Sequence, residues 1–109
     1  MTLFLILALQ DIEEIRQAFR EARHTDVVSL CDKALKDPQL RQDRRAEMFF
    51  WKGTALARLG RHEEAVLAID SAQELGFAPS EAFLEKALAL HSLGKSEEAR
   101  RTAVKRFER

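Results

Sequence analysis

A repeat with a period of 34 residues constrains the fold of this chain more than any other feature of its sequence. Residues 46–75 can be laid over residues 80–109 without a gap, and the same residue types recur at many positions. The matched pairs are Glu47 and Glu81, Phe49 and Phe83, Lys52 and Lys86, Ala55 and Ala89, Leu56 and Leu90, Leu59 and Leu93, Gly60 and Gly94, and Glu63-Glu64-Ala65 with Glu97-Glu98-Ala99. A fixed period of this length indicates helix hairpins stacked into a solenoid.

The rest of the chain also favours helix. Four Gly and two Pro are few breakers for 109 residues, and no stretch shows the alternation of a strand. Apolar residues at helical spacing predict six helices, at about residues 2–23, 25–37, 43–59, 62–75, 80–93 and 96–109. Ser80 is predicted to be the N-cap of the fifth helix. The first hairpin has no turn glycine, so its turn is expected to be shortened.

The repeated positions resemble the tetratricopeptide repeat family. That family has a large, a small and a large apolar residue on its first helix, then Gly at the turn and Ala on the second helix. These positions hold Phe49, Gly53, Leu56, Gly60, Ala65 and Ala72 in the middle unit, and Phe83, Ala87, Leu90, Gly94 and Ala99 in the next. The resemblance is close over residues 46–105 and loose over residues 11–38, and Arg106 departs from it.

The resemblance implies an all-α fold of three tandem hairpins that form a short right-handed α-solenoid. The hairpins are expected at about residues 3–37, 43–76 and 80–108, in a single domain of residues 1–109. In the family, the first helices of the hairpins line a concave groove and the second helices pack outside them.

This implied groove is the predicted interaction site. Its residues are expected to be Glu47, Phe50, Trp51, Thr54 and Arg58 of the middle hairpin and Glu81, Leu84, Glu85, Leu88 and His91 of the last. Four of these are bulky and apolar where the packing pattern does not require it, and exposed apolar residues mark interaction surfaces. The groove is predicted to bind an apolar or amphipathic peptide, above all a helix, of another protein. An adaptor or a chaperone-like protein would work in this way. The alternative is that Trp51 packs on the first hairpin and Leu88 on a neighbour inside the solenoid.

A short apolar run near the N-terminus predicts a second contact surface, together with two residues of the last helix. The residues are Leu3, Phe4, Leu5, Ile6, Leu7 and Leu9, with Val104 and Phe107. The run lacks the flanks of a signal peptide and falls well short of the roughly 20 apolar residues of a membrane span. It can cover the open end of the stack, fill a groove of its own or of a second copy, or contact a partner. A self-associating structural protein, such as a homodimer, is therefore the alternative function.

Other classes of function find little support. The 18 basic and 18 acidic residues balance, which disfavours general attraction to nucleic acid. The basic residues of the last helix alternate with glutamates and lack an aromatic platform, which is typical of a solvated face.

No enzyme, cofactor or metal site is expected. The three histidines are scattered, and neither a phosphate-binding loop nor a nucleophile motif occurs. Cys31 lies in the apolar stripe of the second helix and is expected to be a buried small residue. A single cysteine fits a reducing compartment, so a cytoplasmic location is expected.

Overall fold

The computed structural model describes residues 12–105, and this range folds into six helices without strands. They are α1 at residues 12–20, α2 at His24–Leu35, α3 at Gln42–Arg58, α4 at His62–Glu74, α5 at Ser80–Ser92 and α6 at Ser96–Lys105. The prediction of an all-α helical repeat is confirmed. The predictions for Leu3 to Leu9 and for Phe107 lie outside the described residues.

Contacts between helices run mainly along the chain order. From α2 to α6, each helix packs on the next one, and α3 also touches α5. Ile12, Ile15 and Ala18 of α1 share one apolar cluster with Val27 and Cys31 of α2. Contacts of this kind, between neighbours in sequence, define a solenoid. None of the described helices is both long enough and apolar enough to cross a membrane.

The middle hairpin is closely packed at its small residues, as its sequence predicts. A Cβ atom added at Gly53 of α3 would lie 2.7 Å from Ile69 Cγ1 and 3.2 Å from the carbonyl oxygen of Ala65, both on α4. The missing side chain of Gly53 therefore lets the two helices approach each other. Leu56 fills the space beside this contact and is almost fully buried.

All three hairpins turn in the same way, which corrects the expectation of a shortened first turn. Three residues separate the helices of each hairpin, and the middle residue of each turn has a positive φ: 59° at Ala22, 80° at Gly60 and 80° at Gly94. The amide of the next residue donates to a carbonyl five residues earlier in each case, for example from Arg61 to Leu56 at 2.9 Å. This is the Schellman arrangement of a helix C-terminus. Ala22 adopts this left-handed conformation although it is not glycine, which costs roughly 1–2 kcal/mol of folding free energy.

Three predicted helix boundaries were wrong. The first helix ends at residue 20 rather than 23, because the turn at Ala22 reverses the chain there. α2 then begins at His24, which leaves Asp26 inside its first turn, where a carboxylate is favourable. Ser80 is the first helical residue and not the N-cap, because the extended Pro79 occupies the cap position and no side chain caps this end.

The same kind of ion pair joins the first hairpin to the middle one and the middle hairpin to the last. Lys52 of α3 lies 2.7 Å from Asp32 of α2, and Lys86 of α5 lies 2.6 Å from Asp70 of α4. The two lysines are 34 residues apart and the two aspartates 38. Most of this difference lies in α3, which has 17 residues against 13 in α5 and begins four residues earlier relative to its lysine. The first hairpin thus contacts the next hairpin through the same kind of ion pair as the middle hairpin does, but the paired residues are four positions further apart in the sequence.

Candidate functional site

The first helices of the hairpins lie side by side and form one face of the stack, called here the first-helix face. α1 meets α3 through an edge-to-face contact of Phe19 with Trp51, whose ring centres are 5.1 Å apart. α3 meets α5 through two hydrogen bonds from Arg58 to Glu85, of 2.9 and 3.0 Å. The residues of the predicted groove belong to this face.

Four aromatic rings form a continuous row on the first-helix face. The row runs from Phe19 through Trp51 and Phe50 to Phe77, and neighbouring ring centres are 5.1, 6.1 and 5.3 Å apart. All four side chains are half-buried. Pairs at these distances gain stability beyond the area that they bury. The row therefore joins the first hairpin, the middle hairpin and the connection that leads into α5.

Trp51 is held mainly by the first hairpin. Its ring packs on Phe19 and on the apolar cluster of α1 and α2. Its Nε1 donates a long hydrogen bond of 3.4 Å to Glu47, whose carboxylate also pairs with Arg44. This is the arrangement that the sequence analysis gave as the alternative to a groove position.

Three more of the predicted groove residues already form hydrogen bonds within the chain. Thr54 is only 4% exposed, and its hydroxyl donates to the carbonyl oxygen of Phe50 at 3.0 Å. Arg58 and Glu85 form their two-pronged ion pair, and the hydrogen bonds to Glu85 raise the pKa of Arg58. The polar groups of these side chains therefore already have partners within the chain.

The remaining predicted residues form an exposed stripe along α5, called here the α5 stripe. It consists of Glu81, Leu84, Leu88 and His91. Leu84 is 40% exposed and Leu88 is 52% exposed. Their spacing places all four on one side of the helix. The buried residues of α5 lie on its other side and are Ala82, Ala87, Ala89 and Leu90.

The middle hairpin shows what normally covers these positions. In the 34-residue register, Leu84 corresponds to Phe50 and Leu88 to Thr54. Phe50 packs against Phe77 and Thr54 is buried, whereas both leucines of α5 are exposed. The α5 stripe is thus the apolar part of the predicted groove that the described residues leave open.

Sequence reasoning missed two members of the aromatic row and one exposed leucine. Phe19 lies in the predicted first helix and Phe77 between the fourth and fifth predicted helices, and neither is among the predicted groove residues. The only signal for Phe77 is a large aromatic residue between the turn glycine Gly76 and Pro79. Leu67 on α4 is 66% exposed, and Val104 on α6 is 53% exposed. The exposure of Val104 fits its predicted place in a contact surface.

Two observations concern metal-binding and nucleophilic groups in the described part of the chain. No group of three His, Cys, Asp or Glu within residues 12–105 is placed to hold a metal ion. Cys31 is completely buried, as predicted, and this burial raises the pKa of its thiol to about 12. The side chain is therefore a neutral packing group rather than a thiolate nucleophile.

Comparison with known proteins agrees with the geometry of the hairpins. The tetratricopeptide repeat model matches residues 46–75, which include most of α3 and all of α4. Over these residues the chain is similar to a tetratricopeptide repeat. No curated protein matches the sequence. Tetratricopeptide repeats generally mediate protein–protein interaction, and proteins of the family are typically non-enzymatic scaffolds.

Proposed function

We propose that this helical repeat protein is an adaptor or chaperone-like module that holds an amphipathic helix of a partner against its first-helix face. The observation that carries the proposal is the α5 stripe. Leu84 and Leu88 are one helical turn apart and are about half exposed, although the equivalent positions of the middle hairpin are more fully covered. Exposed apolar residues in such an arrangement are typical anchors for a partner.

A helix is the ligand that fits this surface best. Both leucines lie on one side of one helix, so a second helix can lie along them with anchors at i, i+3, i+4 and i+7. Complete burial of a leucine side chain contributes about 1.5–3 kcal/mol. Since Leu84 and Leu88 are already partly covered, roughly half of that remains available from each.

Charged residues at the ends of the stripe would orient the ligand. Glu81 and His91 flank the two leucines and are exposed. Arg58 and Glu85, which are nearby on the same face, are already paired with each other. Rim charges of this kind affect orientation and the rate of association more than affinity. The apolar centre supplies the attraction, and the two ends favour one direction of binding.

A selection experiment tests the proposal. A phage library of amphipathic helical peptides is selected on the intact protein, and enriched peptides are then measured against Leu88→Glu. We expect this change to weaken binding by at least about tenfold, because a carboxylate would have to be buried in an apolar contact.

Leu67→Glu is the matched control. Leu67 is an even more exposed leucine, but it lies on α4 and outside the α5 stripe. Its substitution should leave peptide binding unchanged. Helical peptides that bind both variants as well as the original protein would contradict the proposed site.

A further inference from the structure

We propose that the helix which fits the α5 stripe is α5 of a second copy of this chain, arranged antiparallel about a two-fold axis. The inference rests on the proposed function, because it names the occupant of the same surface. Three observations support it: the order of residues along the stripe, their exposure, and the polar residues that α1 exposes at the opposite end of the described stack.

The α5 stripe has the same spacing in both directions. Glu81, Leu84, Leu88 and His91 are separated by three, four and three residues, and their midpoint lies at residue 86. When two such helices lie antiparallel about that midpoint, Leu84 of one copy faces Leu88 of the other. Glu81 then faces His91 at both ends of the pair. Spacings of three and four residues are those of helices that pack side by side.

The polar ends of the stripe favour the antiparallel direction. In a parallel pair, Glu81 would lie beside Glu81 of the second copy, and two like charges would repel each other. In the antiparallel pair, each Glu81 carboxylate meets an imidazole that can donate a hydrogen bond to it. The same four residues therefore supply an apolar centre and two complementary ends.

The opposite end of the stack has a different character. The outer side of α1 carries exposed polar residues, among them Glu13, Arg16 and Gln17. An open cavity of about 400 Å³ there is lined by Glu14, Gln17, Arg23, Asp26, Ser29 and Leu30. As far as residues 12–105 describe this end, head-to-tail stacking would place the leucines of α5 on a polar surface. A closed two-fold pair, in which the apolar stripe meets itself, avoids that mismatch.

Val104 of α6 extends the apolar surface. It corresponds in the 34-residue register to Asp70, which contacts the first helix of the following hairpin. A helix that lies against α5 is therefore expected to reach Val104, which is half exposed. One helix pair with these additions is smaller than a standard interface of about 800 Å² per partner. The dimer should consequently dissociate on dilution.

Sedimentation velocity of the full chain over a range of concentrations is the first test. We expect a reversible dimer for the original protein and for Leu67→Glu, and a monomer for Leu88→Glu. Circular dichroism of each variant shows that the helices remain folded. A dimer that persists in a folded Leu88→Glu variant would overturn the inference, as would a monomer for the original protein at its highest soluble concentration.

A charge exchange tests the antiparallel register. Glu81→Lys places a lysine opposite His91 of the second copy, and His91→Glu places two glutamates opposite each other. Each single change should weaken dimerisation several-fold, whereas Glu81→Lys with His91→Glu again places a carboxylate opposite a hydrogen-bond donor and should recover the original dimer. The two residues lie about 15 Å apart along one helix, so recovery cannot arise within one copy. Failure of the double variant to recover would overturn the proposed register.

Two further outcomes separate this inference from the proposed function. Suppose that the chain is monomeric but that selected peptides still bind in a manner that depends on Leu88. The second copy is then the wrong occupant, and the proposed function stands. If a chain without residues 2–10 loses the dimer while Leu88→Glu keeps it, the N-terminal apolar run makes the contact instead, and the inference is overturned.

Discussion

The three hairpins meet at two junctions, one between the first and middle hairpins and one between the middle and last hairpins. The two junctions share a lysine–aspartate ion pair but differ in the contact between their first helices. A lysine of the later hairpin pairs with an aspartate of the earlier one at both, as Lys52 with Asp32 and Lys86 with Asp70. On the first-helix face, the first junction has the ring contact of Phe19 with Trp51. The second junction has the ion pair of Arg58 with Glu85 between the two first helices, and the ring contact of Phe50 with Phe77 lies in the connection into α5.

This difference concerns the contact between first helices, because buried apolar residues join the hairpins at both junctions. Aromatic burial does not depend on salt, whereas a partly exposed ion pair contributes about 0–1 kcal/mol and is screened by salt. The first two hairpins are therefore expected to behave as one unit, with the last hairpin attached less firmly. The exposed α5 stripe belongs to that last hairpin. Binding surfaces commonly lie in such less stable parts of a protein.

The largest expected effect comes from removing the ring at the first junction. Trp51→Ala should lower the free energy of unfolding by about 2–3 kcal/mol, less than for a fully buried tryptophan because the side chain is half-buried. Chemical denaturation measures this loss. Trp51→Phe, which keeps a ring against Phe19, should retain most of the stability. Full stability in Trp51→Ala would show that the ring does not hold the first junction together.

An intermediate effect is expected from the turns, where the first hairpin differs from the other two. Ala22→Gly should raise the free energy of unfolding by about 1 kcal/mol, because glycine adopts the positive φ of this position without strain. Gly60→Ala should lower it by a similar amount for the same reason. Thermal unfolding of both variants measures the two shifts. If Ala22→Gly destabilises the protein, the left-handed turn at Ala22 is not present in solution.

The smallest effect is expected at the second junction. A double-mutant cycle of Arg58→Ala and Glu85→Ala should give a coupling of less than about 1 kcal/mol, which declines as salt is added. The corresponding cycle of Phe19→Ala and Trp51→Ala should give about 0.5–1.5 kcal/mol and should not depend on salt. A salt-independent coupling at Arg58 and Glu85 would remove the distinction between the junctions.

The repeat explains which of these features could be predicted from the sequence. Gly60, Gly94 and the small residue Gly53 mark turns and close contacts through their residue type alone, so the last two hairpins were predicted well. Ala22 gives no such signal, because an alanine in a left-handed turn is tolerated only where the surrounding structure determines it. The first turn was therefore misjudged.

The site was predicted only in part, and for a related reason. Sequence spacing places Leu84 and Leu88 on one side of α5 and identifies them as exposed apolar residues. Spacing cannot show which residues of neighbouring hairpins meet. The pairing of Arg58 with Glu85, and of Trp51 with Phe19, depends on how the hairpins stack. Six predicted groove residues consequently have partners within the chain, namely Glu47, Phe50, Trp51, Thr54, Arg58 and Glu85.

Hydrogen exchange of the intact protein during dilution is the most direct test of the account, because it observes α5 and α3 in the same sample. The account predicts that amides of α5 lose protection as the protein is diluted, since the α5 stripe is then uncovered. Amides of α3, which lies between the other hairpins, should keep their protection. Equal protection of α5 at all concentrations, or an equal loss in both helices, would contradict the inference that a second copy covers the α5 stripe.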